Sequence, residues 1–173
     1  SAVRSRLPWL FVNLLTAILA AATVSLFEGT IQKVVALATF MPIVAGMGGN
    51  AGTQTLTIII RSIALGEIDA KNSLKILLKE FGVGLLTGIA MGIAVAFLGY
   101  LWEKNIVFGI VIGLSMVLNM VAATISGFTV PVILRKLNID PALASAVFVT
   151  TVTDVLGFFF FLGLATLFLP YLI

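Results

Sequence analysis

The chain has 173 residues, 61% of them hydrophobic and 10% charged, with a mean hydropathy of +1.23. A soluble domain carries roughly 25% charged residues, so this composition excludes one and places the chain in a bilayer. It has no cysteine and no histidine, which removes disulfides, thiolate and imidazole metal sites and His-based acid–base chemistry; the net charge is +3.

Five apolar segments follow in chain order, each long enough to cross a hydrocarbon core that needs about 20 residues. The first runs from about Leu7 to Phe27, with Pro8 at an early helical position that tolerates it. The second, about Val34 to Ile60, contains Pro42 and a cluster of glycines. The third runs from about Phe81 to Leu101, the fourth from about Ile106 to Leu134, and the fifth from about Ala142 to Leu169. Each is predicted helical, because a lipid-exposed segment must satisfy its own backbone hydrogen bonds. The expected fold is therefore an all-α integral membrane protein with five transmembrane helices per chain.

Between the second and third segments, "RSIALGEIDAKNSLKILLKE" reads as a polar loop followed by an amphipathic helical start. Leu74, Leu77, Leu78 and Phe81 recur at helical spacing, with Lys75 and Lys79 on another face. Such a stretch lies in the membrane interface or extends the third helix. Gly84, Gly88 and Gly92 make two overlapping GxxxG steps, and Gly109 and Gly113 open the fourth segment. These are read as close-packing positions.

The basic residues set the predicted orientation. Arg4, Arg6, Arg61, Lys71, Lys75, Lys79, Arg135 and Lys136 fall on one side, and only Lys33 and Lys104 on the other. The N-terminus is therefore expected in the cytosol and the C-terminus outside a multi-pass protein of the cell membrane. The basic balance reflects this bias and not a nucleic-acid surface. The chain starts at Ser1 with no visible signal peptide, and reads as a membrane domain from a longer protein. It shows no internal repeat, whereas many transporters are built from two halves, so a homodimer is expected to supply the second half. Since both copies share the charge bias, the dimer is predicted parallel, with its axis along the membrane normal.

Six of the seven acids lie at segment ends or in loops: Glu28 and Glu103 outside, Glu67, Asp69, Glu80 and Asp140 on the cytoplasmic side. Asp154, in "VTTVTDVLG", lies deep in the fifth segment with no Lys or Arg on that segment. A charged carboxylate there costs at least about 2.5–3.5 kcal/mol, so it must face water, a cation or the bundle interior. The bland reading is a protonated acid bonded to a neighbouring helix. The sharper one is a cation site. Thr150 and Thr151 lie four and three residues earlier, on nearly the same face, whereas Thr153 points elsewhere. Two copies of Asp154 meeting at a dimer axis suit a hard, oxygen-loving divalent ion, and Mg²⁺ is bound through one or two carboxylates with water between. An aspartyl protease needs a second intramembrane carboxylate, and no Ser/His pair exists, so the chain does not read as an enzyme.

The stretch "MPIVAGMGGNAGTQ", Met41 to Gln54, contains Gly46-x-Gly48-x-x-Ala51, a permitted form of the dinucleotide-binding glycine pattern. That pattern needs a strand before it and a βαβ unit around it. Here it sits inside a membrane-spanning run, so no nucleotide site is expected. Gly46, Gly49 and Thr53 share one helical face, and Gly48 and Gly52 share another. Pro42 is expected to bend the helix. A side-chain-poor middle followed by Asn50, Thr53, Gln54 and Thr57 makes a wall of bare backbone and uncharged oxygens suited to a hydrated ion.

"P-x-x-AGMGGNAGTQ", continuing through Arg61, Ala64 and Gly66, resembles the second-helix signature of the MgtE magnesium channel/transporter family, and "VTTVTDVLG" resembles its fifth-helix aspartate. The resemblance covers essentially the whole chain as the five-helix membrane domain. It implies a homodimer with a central pore lined by the second and fifth helices, conducting Mg²⁺ inward, with Mn²⁺ or other divalent ions passed by some members. It further implies that Asp154 of both subunits holds the hydrated ion, helped by the backbone at Thr150 and by Asn50 and Thr53 along the path. Full-length members carry cytosolic N-terminal and CBS regulatory domains, which are not expected within these 173 residues. The family's Asn-Pro pair beginning eight residues before the aspartate is replaced by Ala146-Val147, so a polar constriction near the outer side is expected to be missing and selectivity altered. The alternative is a proton- or sodium-coupled cation transporter with Asp154 as coupling acid.

Overall fold

In the computed structural model, which describes residues 1–173, the chain forms helices with no strand. They are α1 (Ala2–Ser25), the short α2 (Glu28–Lys33), α3 (Ala36–Ala64), α4 (Ser73–Glu103), α5 (Ile106–Lys136) and α6 (Pro141–Leu167), closed by a 3-10 turn at Leu169–Tyr171. The five apolar segments thus become the five long helices. α1, α4, α5 and α6 are long and apolar enough to cross a membrane by length and composition. α3, at 29 residues, is long enough, but its glycines, Asn50, Gln54 and threonines lower its hydropathy.

One local expectation changes, and one open alternative is decided. The connection holding Glu28 is a six-residue helix and not a loop; Thr30 of that helix shares a 2.7 Å hydroxyl hydrogen bond with Thr166 of α6. The polar stretch before the third segment extends it, because α4 starts at Ser73. Its loop is self-capped: Asp69 Oδ1 accepts from the backbone N–H groups of Lys71 and Asn72 (both 2.9 Å), and Asn72 Oδ1 accepts from Asp69 N–H (2.8 Å). Arg135 at the end of α5 donates to the Ile68 carbonyl (3.4 Å) and ties this loop to the far end of α5. The other turns are short because the sequence supplies their caps. Lys104 takes the left-handed conformation (φ 52°), Asn105 caps α5 through Phe108 N–H, and Asp140 caps α6 ahead of Pro141.

α5 is the central post. It packs against α3, α4 and α6, and most of its residues around the turn are buried. Glycines let α4 lie almost backbone to backbone with it: a Cβ on Gly92 would come 2.8 Å from the Gly113 carbonyl oxygen, and one on Gly109 2.7 Å from that of Ala96. Gly84, Gly88, Gly92, Gly109 and Gly113 are thus all packing positions, as the spacing predicted. At one end of the bundle Phe40, Phe108 and Phe161 stack edge to face, with centroids 5.3 and 6.4 Å apart, joining α3, α5 and α6. α1 lies at the periphery against α6, with most of its surface uncovered.

Candidate ion path along α3 and α6

Three contact pairs define how α3 and α6 meet. A Cβ on Gly52 would lie 2.5 Å from Val149 Cγ1, one on Gly49 3.8 Å from Thr153 Oγ1, and one on Gly157 3.5 Å from Ala45 Cα. The α3 number falls as the α6 number rises, so the two helices are antiparallel. α3 and α5 run the same way, through Gly48 with Asn119, Gly52 with Ala123 and Gly127 with Thr55.

This register allocates the polar residues. Around the Gly49–Thr153 contact, a residue one step further along each of two antiparallel helices, about 100° round, projects to the same flank of their seam. Those residues are Asn50 and Asp154. Gly46, Thr53 and Thr57 on α3, and Thr150 on α6, fall on that flank by the same count, opposite the side of α3 where α5 packs. Burial agrees. Gly46, Asn50, Thr53, Thr57 and Thr150 are exposed and Asp154 is half-buried, whereas Gly48, Gly52, Thr55 and Thr153 are buried. Nothing lies within 4 Å of a Cβ built on Gly46. The residues singled out from sequence as ion-handling, Asp154, Thr150, Asn50 and Thr53, therefore line one uncovered strip, with Asp154 at the centre of α6.

The glycines of "MPIVAGMGGNAGTQ" divide between two tasks. Gly48 and Gly52 admit Asn119 and Val149 from neighbouring helices, while Gly46 keeps the open flank bare. α3 runs as one helix through Pro42.

Some expectations are corrected. Thr153 does point away from the Asp154 flank, but into the α3 contact, where its hydroxyl donates back to its own helix at the Val149 and Thr150 carbonyls (3.1 and 3.0 Å). Thr151 does not share the strip: it lines an apolar recess between α5 and α6 with Val130, Ile133 and Phe148. Ala146 is exposed two turns before Asp154, near the start of α6 and so at the end of the bundle that holds Arg61 and Arg135, the end that the basic bias predicts to be cytoplasmic. The physical reason is chain direction, since α6 begins where α3 and α5 end. Among the buried polar residues that the motifs do not single out is Asn119 on α5. Its signal is an amide in the otherwise apolar run "GLSMVLNMVA", which no charge and no glycine motif marks out.

No group of three acidic, His or Cys side chains comes together within one chain.

A family model described as a divalent cation transporter, MgtE, matches residues 41–164. The chain is 37% identical over 164 residues to the magnesium transporter MgtE of Bacillus subtilis (strain 168), covering 95% of this chain and 36% of that protein. It is 36% identical over 165 residues to that of Thermus thermophilus (95% and 36%), and 32% identical over 172 residues to that of Enterococcus faecalis (99% and 38%). The chain thus spans little more than a third of the length of these relatives. The matched residues include both walls of the strip, the glycine-rich part of α3 and the Asp154 segment of α6, and with them the chain belongs to the MgtE family of divalent cation transporters, not to a family of enzymes.

Proposed function

We propose that this chain is the pore-forming domain of a magnesium transporter. In this reading all five long helices cross the bilayer, and two copies pair in parallel around an axis along the membrane normal. The observation that carries it is the uncovered polar strip: a mid-helix carboxylate, Asp154, beside Thr150 and opposite Gly46, Asn50 and Thr53. Such a strip is costly against lipid. A second copy applied to the same face covers it and brings a second Asp154. Two carboxylates and a ring of uncharged oxygens then face a hydrated divalent ion, the ligation that Mg²⁺ favours, and Mn²⁺ is the first competitor to test. The Lys/Arg bias puts the start of α1 in the cytosol and the end of α6 outside. The membrane potential supplies the driving force, about 2.3 kcal/mol per charge per 100 mV and twice that for a divalent ion. The names of the relatives support the cargo.

The test is Mg²⁺ uptake into liposomes holding the purified chain, under an inside-negative potential with no pH or Na⁺ gradient. Uptake above protein-free liposomes is expected. Uptake that appears only with a proton or Na⁺ gradient assigns the chain to the coupled-transporter alternative, with Asp154 as coupling acid. Background uptake in every condition defeats both readings.

Gly46 supplies a second expectation. Gly46→Leu meets no neighbour inside the chain, so the melting temperature in detergent stays near that of the parent. Its side chain projects into the proposed path, and uptake falls at least about tenfold, as a constriction adding roughly 1.4 kcal/mol or more to the barrier predicts.

A further inference from the structure

Asn119 is fully buried at the middle of α5. Its Nδ2 donates 2.9 Å to the Val44 carbonyl of α3, and its Oδ1 has no protein partner. The side chain lies in a slot between two glycines. A Cβ on Gly48 would collide with its amide nitrogen and lie 2.9 Å from its Cγ, and one on Gly157 would come 2.7 Å from Nδ2. The buried hydroxyls of Ser115, Ser126 and Thr153 bond back along their own helices, whereas the Asn119 amide reaches across to another.

An amide with an unpaired oxygen is an expensive way to fill this volume, and a leucine fills it without desolvating a polar group. Its hydrogen bond and fit make it a registry device: it fixes one α3 carbonyl and occupies the notch in α6. Both attachment points adjoin the ion path. Val44 lies two residues before Gly46, and Gly157 lies three residues after Asp154. We propose that Asn119 is a positioning residue for ion discrimination, pinning α3 and α6 at the separation at which Asp154 and the α3 strip accept hydrated Mg²⁺ but not the larger, more loosely hydrated Ca²⁺. This rests on the transport reading above; Asn119 itself lies outside the path and acts through Asp154 and the α3 wall.

The experiment compares Mg²⁺ and Ca²⁺ uptake in liposomes for the parent chain, Asn119→Leu and Asn119→Ser, with Asp154→Ala alongside, each normalised to folded protein by size-exclusion profile and melting temperature. Leu fills the slot without the donor; Ser leaves it part-empty and is too short to reach Val44. The Mg²⁺/Ca²⁺ uptake ratio is expected to fall about tenfold in at least one folded Asn119 variant, equivalent to roughly 1.4 kcal/mol of lost discrimination. A purely structural role lowers both fluxes together, so an unchanged ratio in the folded variants overturns the proposal, as does failure of both variants to fold. Uptake that survives Asp154→Ala strikes the transport reading instead, and leaves a changed ratio in the Asn119 variants without its stated cause.

Discussion

Replacing Asp154 with alanine is expected to reduce Mg²⁺ uptake in liposomes to the protein-free background, without lowering the melting temperature of the chain. No Lys or Arg on α6 balances this carboxylate, so its removal breaks no ion pair on that helix and relieves a burial cost of at least about 2.5–3.5 kcal/mol. Stability held or raised while activity vanishes is the mark of a residue kept for function. Asp154→Asn separates charge from shape. The amide still hydrogen-bonds the water around an ion, but two unit charges at 4 Å are worth about 4 kcal/mol at an effective dielectric near 20, and roughly twice that for a divalent cation. Loss of that attraction in both copies lowers uptake by at least about tenfold, even with compensation from water. Full uptake by a well-folded Asp154→Ala protein would remove Asp154 from the path.

The second large effect concerns folding. Gly92→Val should separate α4 from α5 and lower the melting temperature in detergent by several degrees. The Cβ of any side chain at this position lies 2.8 Å from the Gly113 carbonyl oxygen and 3.1 Å from Val117 Cγ2, one turn further along α5. A backbone carbonyl inside a helix cannot rotate aside, so the two helices must move apart. Overpacking of this kind costs about 1–3 kcal/mol, and more where backbone is the obstacle. Gly46→Leu is the internal control: the same class of substitution, on the same kind of helix, with nothing to meet. Equal melting temperatures for the two variants would mean that close packing of α4 on α5 contributes nothing measurable.

The two glycine predictions differ although the sequence treats the residues alike. "MPIVAGMGGNAGTQ" places glycines at several rotational phases of α3, and spacing alone groups Gly46 with Gly49 and Gly48 with Gly52. That grouping says nothing about which group meets a neighbour. α5 decides it by presenting Asn119 to Gly48, and α6 by presenting Val149 to Gly52. Helical angle likewise relates Thr151 and Thr153 to Asp154, but their surroundings depend on where α3 and α5 press on α6. Asn119 was legible as an amide in an apolar run, but its role was not, because its partners lie on helices distant in sequence.

Composition, segment length and motif were enough to establish the class of the protein, its five long helices, the isolation of one carboxylate at mid-helix and the family. The bilayer is the reason. Against hydrocarbon, a run of apolar residues and a single charge each have one dominant consequence, whatever the neighbours do. The tertiary structure alone decided which flank of α3 is bare and which is packed, that Asn50, Thr53, Thr150 and Asp154 share one strip, and that Asn119 links the two walls. Those are properties of register between helices, and register is set by the interlocking of side chains and glycine notches across α3, α5 and α6.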